Sequence, residues 1–256
     1  NEILFGGCDI DPWERKGYKI INKNNFYWHE LGISFSLPPK LIYWIQQFKS
    51  SNEKQVSQIP SPPQPFVNKQ TEINTLLHMI QHSKDIIYIE HQLLSITKFS
   101  NDSSYSILKA LAKRLTHSCK HKESLQIYII TNQSQDDEYN MFTQFFSSNG
   151  LQLSICGILE LIPSKYKEEA MKKLHVYTLK AGKHNIKTHS NIFITDDSKN
   201  NYHLVRSSSN LSDRSFGFQP CDIELGVYIS HTQTIKQLLN DLISLHTDSK
   251  DTTITE

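Results

Sequence analysis

The order of apolar and polar residues predicts an α/β fold, a mixed sheet sandwiched between helices. Two observations carry that prediction. Short β-branched and aromatic runs at 85–90, 125–131 and 175–179 have the length and composition of strands. Segments with apolar residues three and four apart stand between them, so strand and helix alternate along the chain. With 256 residues, 38% of them hydrophobic, the chain can bury one large core or two modest ones.

The elements follow in order. After Pro38 and Pro39, the residues Leu41, Ile42, Trp44, Ile45 and Phe48 share one helix face. Such a stripe can lie on a bilayer, but burial on its own sheet is the commoner fate. Residues 50–70 read as a linker, because Pro60-Ser61-Pro62-Pro63-Gln64-Pro65 breaks helix and strand alike. A helix is predicted over 71–83, with Ile73, Leu76, Leu77, Met79 and Ile80 inward and Thr71 as cap. The strand at 85–90 precedes a helix at 103–119 built on Ile107, Leu108, Leu111 and Leu115. A strand at 125–131, a helix at 138–148 and strands at 151–155 and 175–179 come next. Residues 189–196 and 202–206 read as two strands of a hairpin around the polar turn 198–201. Ile235, Leu238, Leu239, Leu242 and Leu245 make the stripe of a closing helix at 234–246. The organisation predicted is a unit at 1–49, the linker, a second unit at 71–248 and a polar tail at 249–256.

Composition removes several functions. A net charge of +1 gives no bulk electrostatic argument for nucleic acid, so nucleic acid is not favoured as a partner. Cys8, Cys119, Cys156 and Cys221 are scattered without a Cys-x-x-Cys pair, which signals neither a zinc site nor a disulfide framework and fits a reducing compartment. Twelve histidines occur, yet no His-Glu-x-x-His spacing does, so no metal and no cofactor is expected. No apolar run has the length of a membrane span.

The chemistry concentrates at 188–228. The sequence there reads Thr-His-Ser-Asn-Ile-Phe-Ile-Thr-Asp-Asp, then Val-Arg-Ser-Ser-Ser-Asn-Leu-Ser-Asp-Arg-Ser, then Cys-Asp-Ile-Glu-Leu-Gly. Period-two alternation puts His189 and Asn191 on one side of a strand and Ile192 and Ile194 on the other. An imidazole titrating near neutrality can attack phosphorus or protonate a leaving alkoxide. Neutral amide donors and cations around phosphoryl oxygens would complete a phosphodiesterase site.

The ordered run His189, Asp196, Ser208, Asn210, Arg214, Ser215, Glu224 resembles the second repeat of the phospholipase D superfamily. Members carry His-x-Lys-x-x-x-x-Asp on a strand, then Gly-Ser-x-Asn-x-x-x-Arg-Ser, then an acidic strand start. The N-terminus resembles the tail of the first repeat: Gly6-Gly7-Cys8-Asp9 stands for its Gly-Gly-x-Asp and Trp28-His29-Glu30 for its Trp-His-Asp. Ile89-Glu90-His91-Gln92 resembles the family's Ile-Glu-Asn-Gln at a strand end near the cleft. The departure is Asn191, where the family has lysine, and Ser207 stands where it has glycine.

The resemblance implies a phospholipase D-like α/β/α sandwich with a mixed sheet, holding the tail of repeat one and all of repeat two. It implies catalytic roles for His189 and Asp196, and phosphate-binding or supporting roles for Asn191, Ser208, Asn210, Gly7 and Asp9. Glu30, Asp222 and Glu224 are candidates for orienting imidazoles, and Glu90 and Gln92 for lining the cleft. The chain is then expected to be the C-terminal part of a longer protein whose upstream half carries the first motif. The function implied is hydrolysis of a phospholipid such as phosphatidylcholine at a membrane surface through a phosphohistidine, in a cytoplasmic, peripheral membrane protein. A catalytically degenerate lipid- or protein-binding module and the nuclease or cardiolipin-synthase branches are the alternatives. Asparagine offers only a neutral donor where lysine offers a charge, so restoring lysine at 191 is expected to raise turnover.

Overall fold

The computed structural model describes residues 2–5, 27–29, 33–36, 69–96, 103–132, 141–179, 186–216, 226–230, 232–247 and 252–254. The strands are β1 (Glu2–Phe5), β2 (Tyr27–His29), β3 (Ile33–Ser36), β4 (Ile86–His91), β5 (Leu94–Ser95), β6 (Gln126–Asn132), β7 (Leu174–Leu179), β8 (Ile186–Thr188), β9 (Ile192–Asp196), β10 (Tyr202–Ser207), β11 (Leu211–Ser212), β12 (Gly226–Ser230) and β13 (Thr252–Ile254). The helices are α1 (Lys69–His82), α2 (Ser103–His121), α3 (Met141–Glu160), α4 (Ser164–Lys173), α5 (Asp213–Phe216) and α6 (Thr232–Thr247). Seven strands form one mixed sheet in the order β12-β10-β9-β4-β6-β7-β13. Within it β4, β6 and β7 are parallel, and each of the other neighbouring pairs is antiparallel.

The sheet is covered on both faces, which is why its central strands read as near-continuous apolar runs. Ile87, Ile89, Ile127, Ile129, Phe193 and Val205 face one core with Leu76 and Ile80 of α1, Leu108 and Leu111 of α2 and Ile158 of α3. Tyr88, Ile130, Ile192, Ile194 and Leu204 face the other, closed by Ile235, Leu239 and Leu242 of α6. Each fully buried large apolar side chain contributes about 1.5–3 kcal/mol. The α/β/α layering is the predicted fold.

Most predicted elements stand with shifted ends, and several details differ. Helix α1 begins two residues before the proposed cap, so Thr71 lies within its first turn. At its other end Arg114 of α2 supplies the cap, its guanidinium donating to Ser83 O at 2.9 Å and Lys84 O at 3.1 Å. The strand predicted at 151–155 does not exist; α3 runs through it. Leu151, Leu153 and Ile155 alternate as a strand would, but Leu153 is 51% exposed and Ser154 is buried. Ser154 Oγ donates to Gly150 O at 2.7 Å and accepts from Ile96 N–H at 2.9 Å, which docks the helix where Gly150 leaves no room for a side chain beside Ser95. Helix α4 was not anticipated. Leu245 of α6 is exposed rather than inward. The tail at 249–256 supplies β13, an edge strand against β7.

The motif strand is also not continuous. Thr188 ends β8, Ile192 begins β9, and Asn191 between them has φ 44°. The alternation that placed His189 and Asn191 on one side therefore fails there, although it holds from Ile192 to Ile194.

Candidate active site

Strand direction decides which residues meet. The C-terminal ends of β4 and β6, the start of β9 and the end of β10 lie on the same edge of the sheet. That edge gathers Glu90, His91, Asn132, Asn191 and Ser207 with the segments that follow them. Such strand ends are where α/β folds present ligand groups.

From Thr188 to Asn191 the chain forms an arch. Thr188, Ser190 and Asn191 are buried, and His189 is the residue of the four that reaches solvent. At the first foot, Thr188 N–H donates to Asn132 Oδ1 at 2.8 Å and Asn132 Nδ2 donates to Thr188 O at 3.0 Å. The Thr188 hydroxyl donates to Glu90 Oε1, and Ser190 N–H donates to Thr188 Oγ1 at 3.3 Å. At the second foot, Gln92 N–H donates to Asn191 Oδ1 at 3.0 Å and Asn191 Nδ2 donates to Ser208 O at 3.1 Å. Ser207 N–H donates to Asn191 O at 3.1 Å. Asparagine is among the few L-residues that tolerate this left-handed backbone. Its amide, 2% exposed as a residue, ties the end of β4 to the end of β10.

Behind the arch lies a buried polar layer. Glu90 Oε2 accepts from Tyr88 Oη at 2.7 Å and lies 3.2 Å from His246 Nε2 of α6. Burial, and then the charge of Glu90, push the Tyr88 phenol well above its ordinary pKa. Glu90 and Arg206 both stand opposite Ile192 in the register, on the face covered by α6, so opposite charges flank it within one layer. Arg206 is fully buried and its guanidinium donates to Ser207 O. His91 points to the other face. Burial, then Arg206, lower its pKa to about 3 against the opposing pull of Glu90 and a hydrogen bond to the Ser209 backbone. It is a neutral imidazole, its Nδ1 buried without a hydrogen-bond partner among the described residues.

The serine-rich loop is held just as firmly. Ser207 Oγ donates to Ser209 Oγ at 2.9 Å, and Ser209 Oγ donates to Glu72 Oε2 of α1 at 3.0 Å. Gly226 belongs to this packing, since a Cβ there would come within 3.2 Å of Glu72 Oε2. Asn210 Oδ1 accepts from Leu93 N–H at 3.2 Å, and Asn210 N–H donates to Ser215 Oγ at 3.2 Å. Ser208 is exposed.

His189, Asn191, Ser208, Asn210, Glu90 and Gln92 thus share one edge. Gln92 contributes through its backbone: its carbonyl accepts from Thr131 Oγ1 at 3.3 Å and Asn132 Nδ2 at 3.2 Å. Asp196 is not among them. It lies at the far end of β9, roughly 13 Å from Ile192 at about 3.3 Å per residue. There its carboxylate accepts N–H groups from Lys84 at 3.2 Å, Asp85 at 3.0 Å and Ile86 at 2.9 Å. Gly7, Asp9, Glu30, Asp222 and Glu224 lie outside the described residues. Thr188, Arg206, His246 and Glu72 escaped the sequence reading. Arg206 carried a signal, a charge inside an apolar strand run, whereas nothing marked His246 or Glu72 among ordinary helix residues. Among the described residues, no three of His, Cys, Asp or Glu cluster as a metal site, and no helix is long and apolar enough to cross a membrane.

No protein-family model and no curated protein sequence matches the chain. Among solved structures, phosphatidylserine synthase from Haemophilus influenzae Rd KW20 superimposes with a TM-score of 0.56 at 11% identity, over 99% of this chain and 61% of the synthase. The chain therefore spans less than two thirds of that enzyme's length. NucT from Helicobacter pylori aligns at TM-score 0.39 and 17% identity, over 68% of this chain and 86% of that one. Yeast tyrosyl-DNA phosphodiesterase aligns at TM-score 0.41 and 10% identity, over 91% and 64%. With the layer order and the superposition on the synthase in agreement, the chain carries a phospholipase D-like fold.

Proposed function

We propose that this chain contributes the second half of a phospholipase D-type phosphodiesterase site that opens the headgroup ester of a phospholipid. One observation carries the reading: His189 is the one partly exposed member of an otherwise buried arch at the sheet edge where the motif residues converge. In this reading one imidazole of a histidine pair attacks phosphorus while the other protonates the departing headgroup oxygen. Water then cleaves the phosphohistidine, and phosphatidate leaves. His189 is one of the pair, and the other belongs to a first repeat. In this reading Ser208 and Asn210, from the same sheet edge, serve as neutral supporting groups.

A second reading has its own support. The Asn191 amide is occupied by Gln92 and Ser208, so it offers no charge toward phosphate. That favours a module that binds lipid without turnover.

The deciding experiment measures headgroup release from mixed phospholipid vesicles by the full-length gene product, wild type and His189→Ala, beside single-stranded and duplex DNA as competing substrates. Release abolished by His189→Ala supports the enzyme. Vesicle binding without release, unchanged in His189→Ala, supports the module. Release that survives His189→Ala, or cleavage of DNA alone, overturns the reading.

A further inference from the structure

We infer that Asn132 is the positioning residue for His189, and that Asn191 is its counterpart on the other side of the arch; this rests on the catalytic reading of His189. Asn132 ends β6, and there its side chain continues the sheet. Its Oδ1 and Nδ2 pair with the N–H and C=O of Thr188 at 2.8 and 3.0 Å, the two bonds that a neighbouring strand would make. The same Nδ2 reaches Gln92 O at 3.2 Å, so one amide joins the ends of β4 and β6 to the residue before the histidine. Beneath it Thr188 Oγ1 is fixed by Glu90, itself wholly buried.

Asn191 performs the matching task two residues after the histidine, using Gln92 N–H and Ser208 O. Gln92 is thus shared: its carbonyl serves the first foot and its N–H the second. Both feet are held by side-chain amides, each acting as donor and acceptor at once. No other common side chain of that length has both capacities. Aspartate lacks the donor, leucine lacks both, and lysine lacks the acceptor. The asparagine in the lysine position is accordingly part of the device that aims the imidazole, and Asn132 is the part that can be changed without touching the motif.

The test uses Asn132→Ala and the near-isosteric Asn132→Asp in the full-length gene product. Amide hydrogen exchange at Ser190 and Asn191 is read by mass spectrometry, the His189 imidazole resonances by NMR, and headgroup release by kcat and KM. The expected result is at least a tenfold rise in exchange confined to 188–191 and shifted His189 resonances. With these, kcat should fall about 10- to 100-fold while KM stays within about twofold. Unchanged exchange and unchanged His189 resonances in a folded variant overturn the inference, and so does a disturbed arch with an undiminished kcat. If the wild type releases no headgroup, the catalytic reading fails by itself. Exchange and imidazole resonances then still decide whether Asn132 holds the arch. Should Asn132→Ala not fold, Asn132→Asp carries the same measurements, because it keeps an acceptor for Thr188 N–H while a carboxylate oxygen replaces the donor facing Thr188 O and Gln92 O.

Discussion

The two ends of β9 carry the first and last letters of one motif and do opposite work. At the start, His189 emerges from a buried arch and is the partly exposed residue of the four. At the end, Asp196 is buried and gathers N–H groups from Lys84, Asp85 and Ile86, the turn that feeds β4. One end leaves an imidazole partly open to solvent; the other takes in backbone donors that would otherwise be orphaned. A spacing such as His-x-x-x-x-x-x-Asp therefore need not describe two groups in one cleft. Here it spans a sheet, and its carboxylate secures the start of the strand whose far end lies beside the arch.

That contrast can be broken experimentally. The largest effect is expected from His189→Ala: headgroup release by the full-length gene product should fall by about a thousandfold, with no change in melting temperature. Asp196→Ala should do the reverse in kind. It strands three backbone donors and should cost about 3 kcal/mol in urea unfolding, with any lost activity tracking the unfolded fraction. Asn191→Lys comes next, and the structure inverts the expectation drawn from the sequence. A lysine at a buried, left-handed position cannot replace the amide's paired bonds. The variant should lose about 2 kcal/mol in stability, and turnover should fall rather than rise. A gain in turnover at unchanged stability would return Asn191 to the phosphate.

The smallest effects concern acid. His91, near the arch, has its folded pKa lowered from 6.5 to about 3, so the unfolded chain takes up that proton first. Stability should drop as pH falls from about 6.5 toward 3, and His91→Gln should flatten this stretch. Asp197, at the opposite end, is held at about 2 against an ordinary 3.8. Burial opposes that shift, but N–H groups of Asn201 and Lys199, the Asn201 amide and His203 outweigh it. Its contribution is present above about 4 and lost toward 2, so Asp197→Asn should flatten only the more acid stretch. A single coincident acid limb, unaffected by either variant, would dissolve the distinction between the two ends.

Much of this was legible beforehand, for identifiable reasons. The central strands carry the double-sided apolar signature of a covered sheet, and Ile192, Phe193 and Ile194 divide between the two cores as alternation requires. The order of His189, Ser208 and Asn210 sufficed to bring them to one edge, because a hairpin returns its second strand beside its first. What stayed hidden depends on partners distant in sequence. Leu151, Leu153 and Ile155 imitate a strand, and only the docking of Ser154 against Ile96 shows why they are helical. The break at Asn191 rests on Gln92 and Ser208, which no periodicity reports. In sequence Asn132 merely opens a polar run, and nothing local reports a pairing with Thr188 that crosses 56 positions.

The pairing of β2 with β8 has a practical consequence. Tyr27, Trp28 and His29 lie in parallel register with Ile186, Lys187 and Thr188, so the early segment is laced to the strand that leads into the arch. Scission anywhere in 50–65 would leave that ladder's halves on separate polypeptides, each presenting an unsatisfied edge that fits the other. Such fragments are suited to complementation: co-expressed, they should find each other through three backbone-matched pairs. Reconstituted signal could then report on proximity wherever the pieces are fused to other proteins.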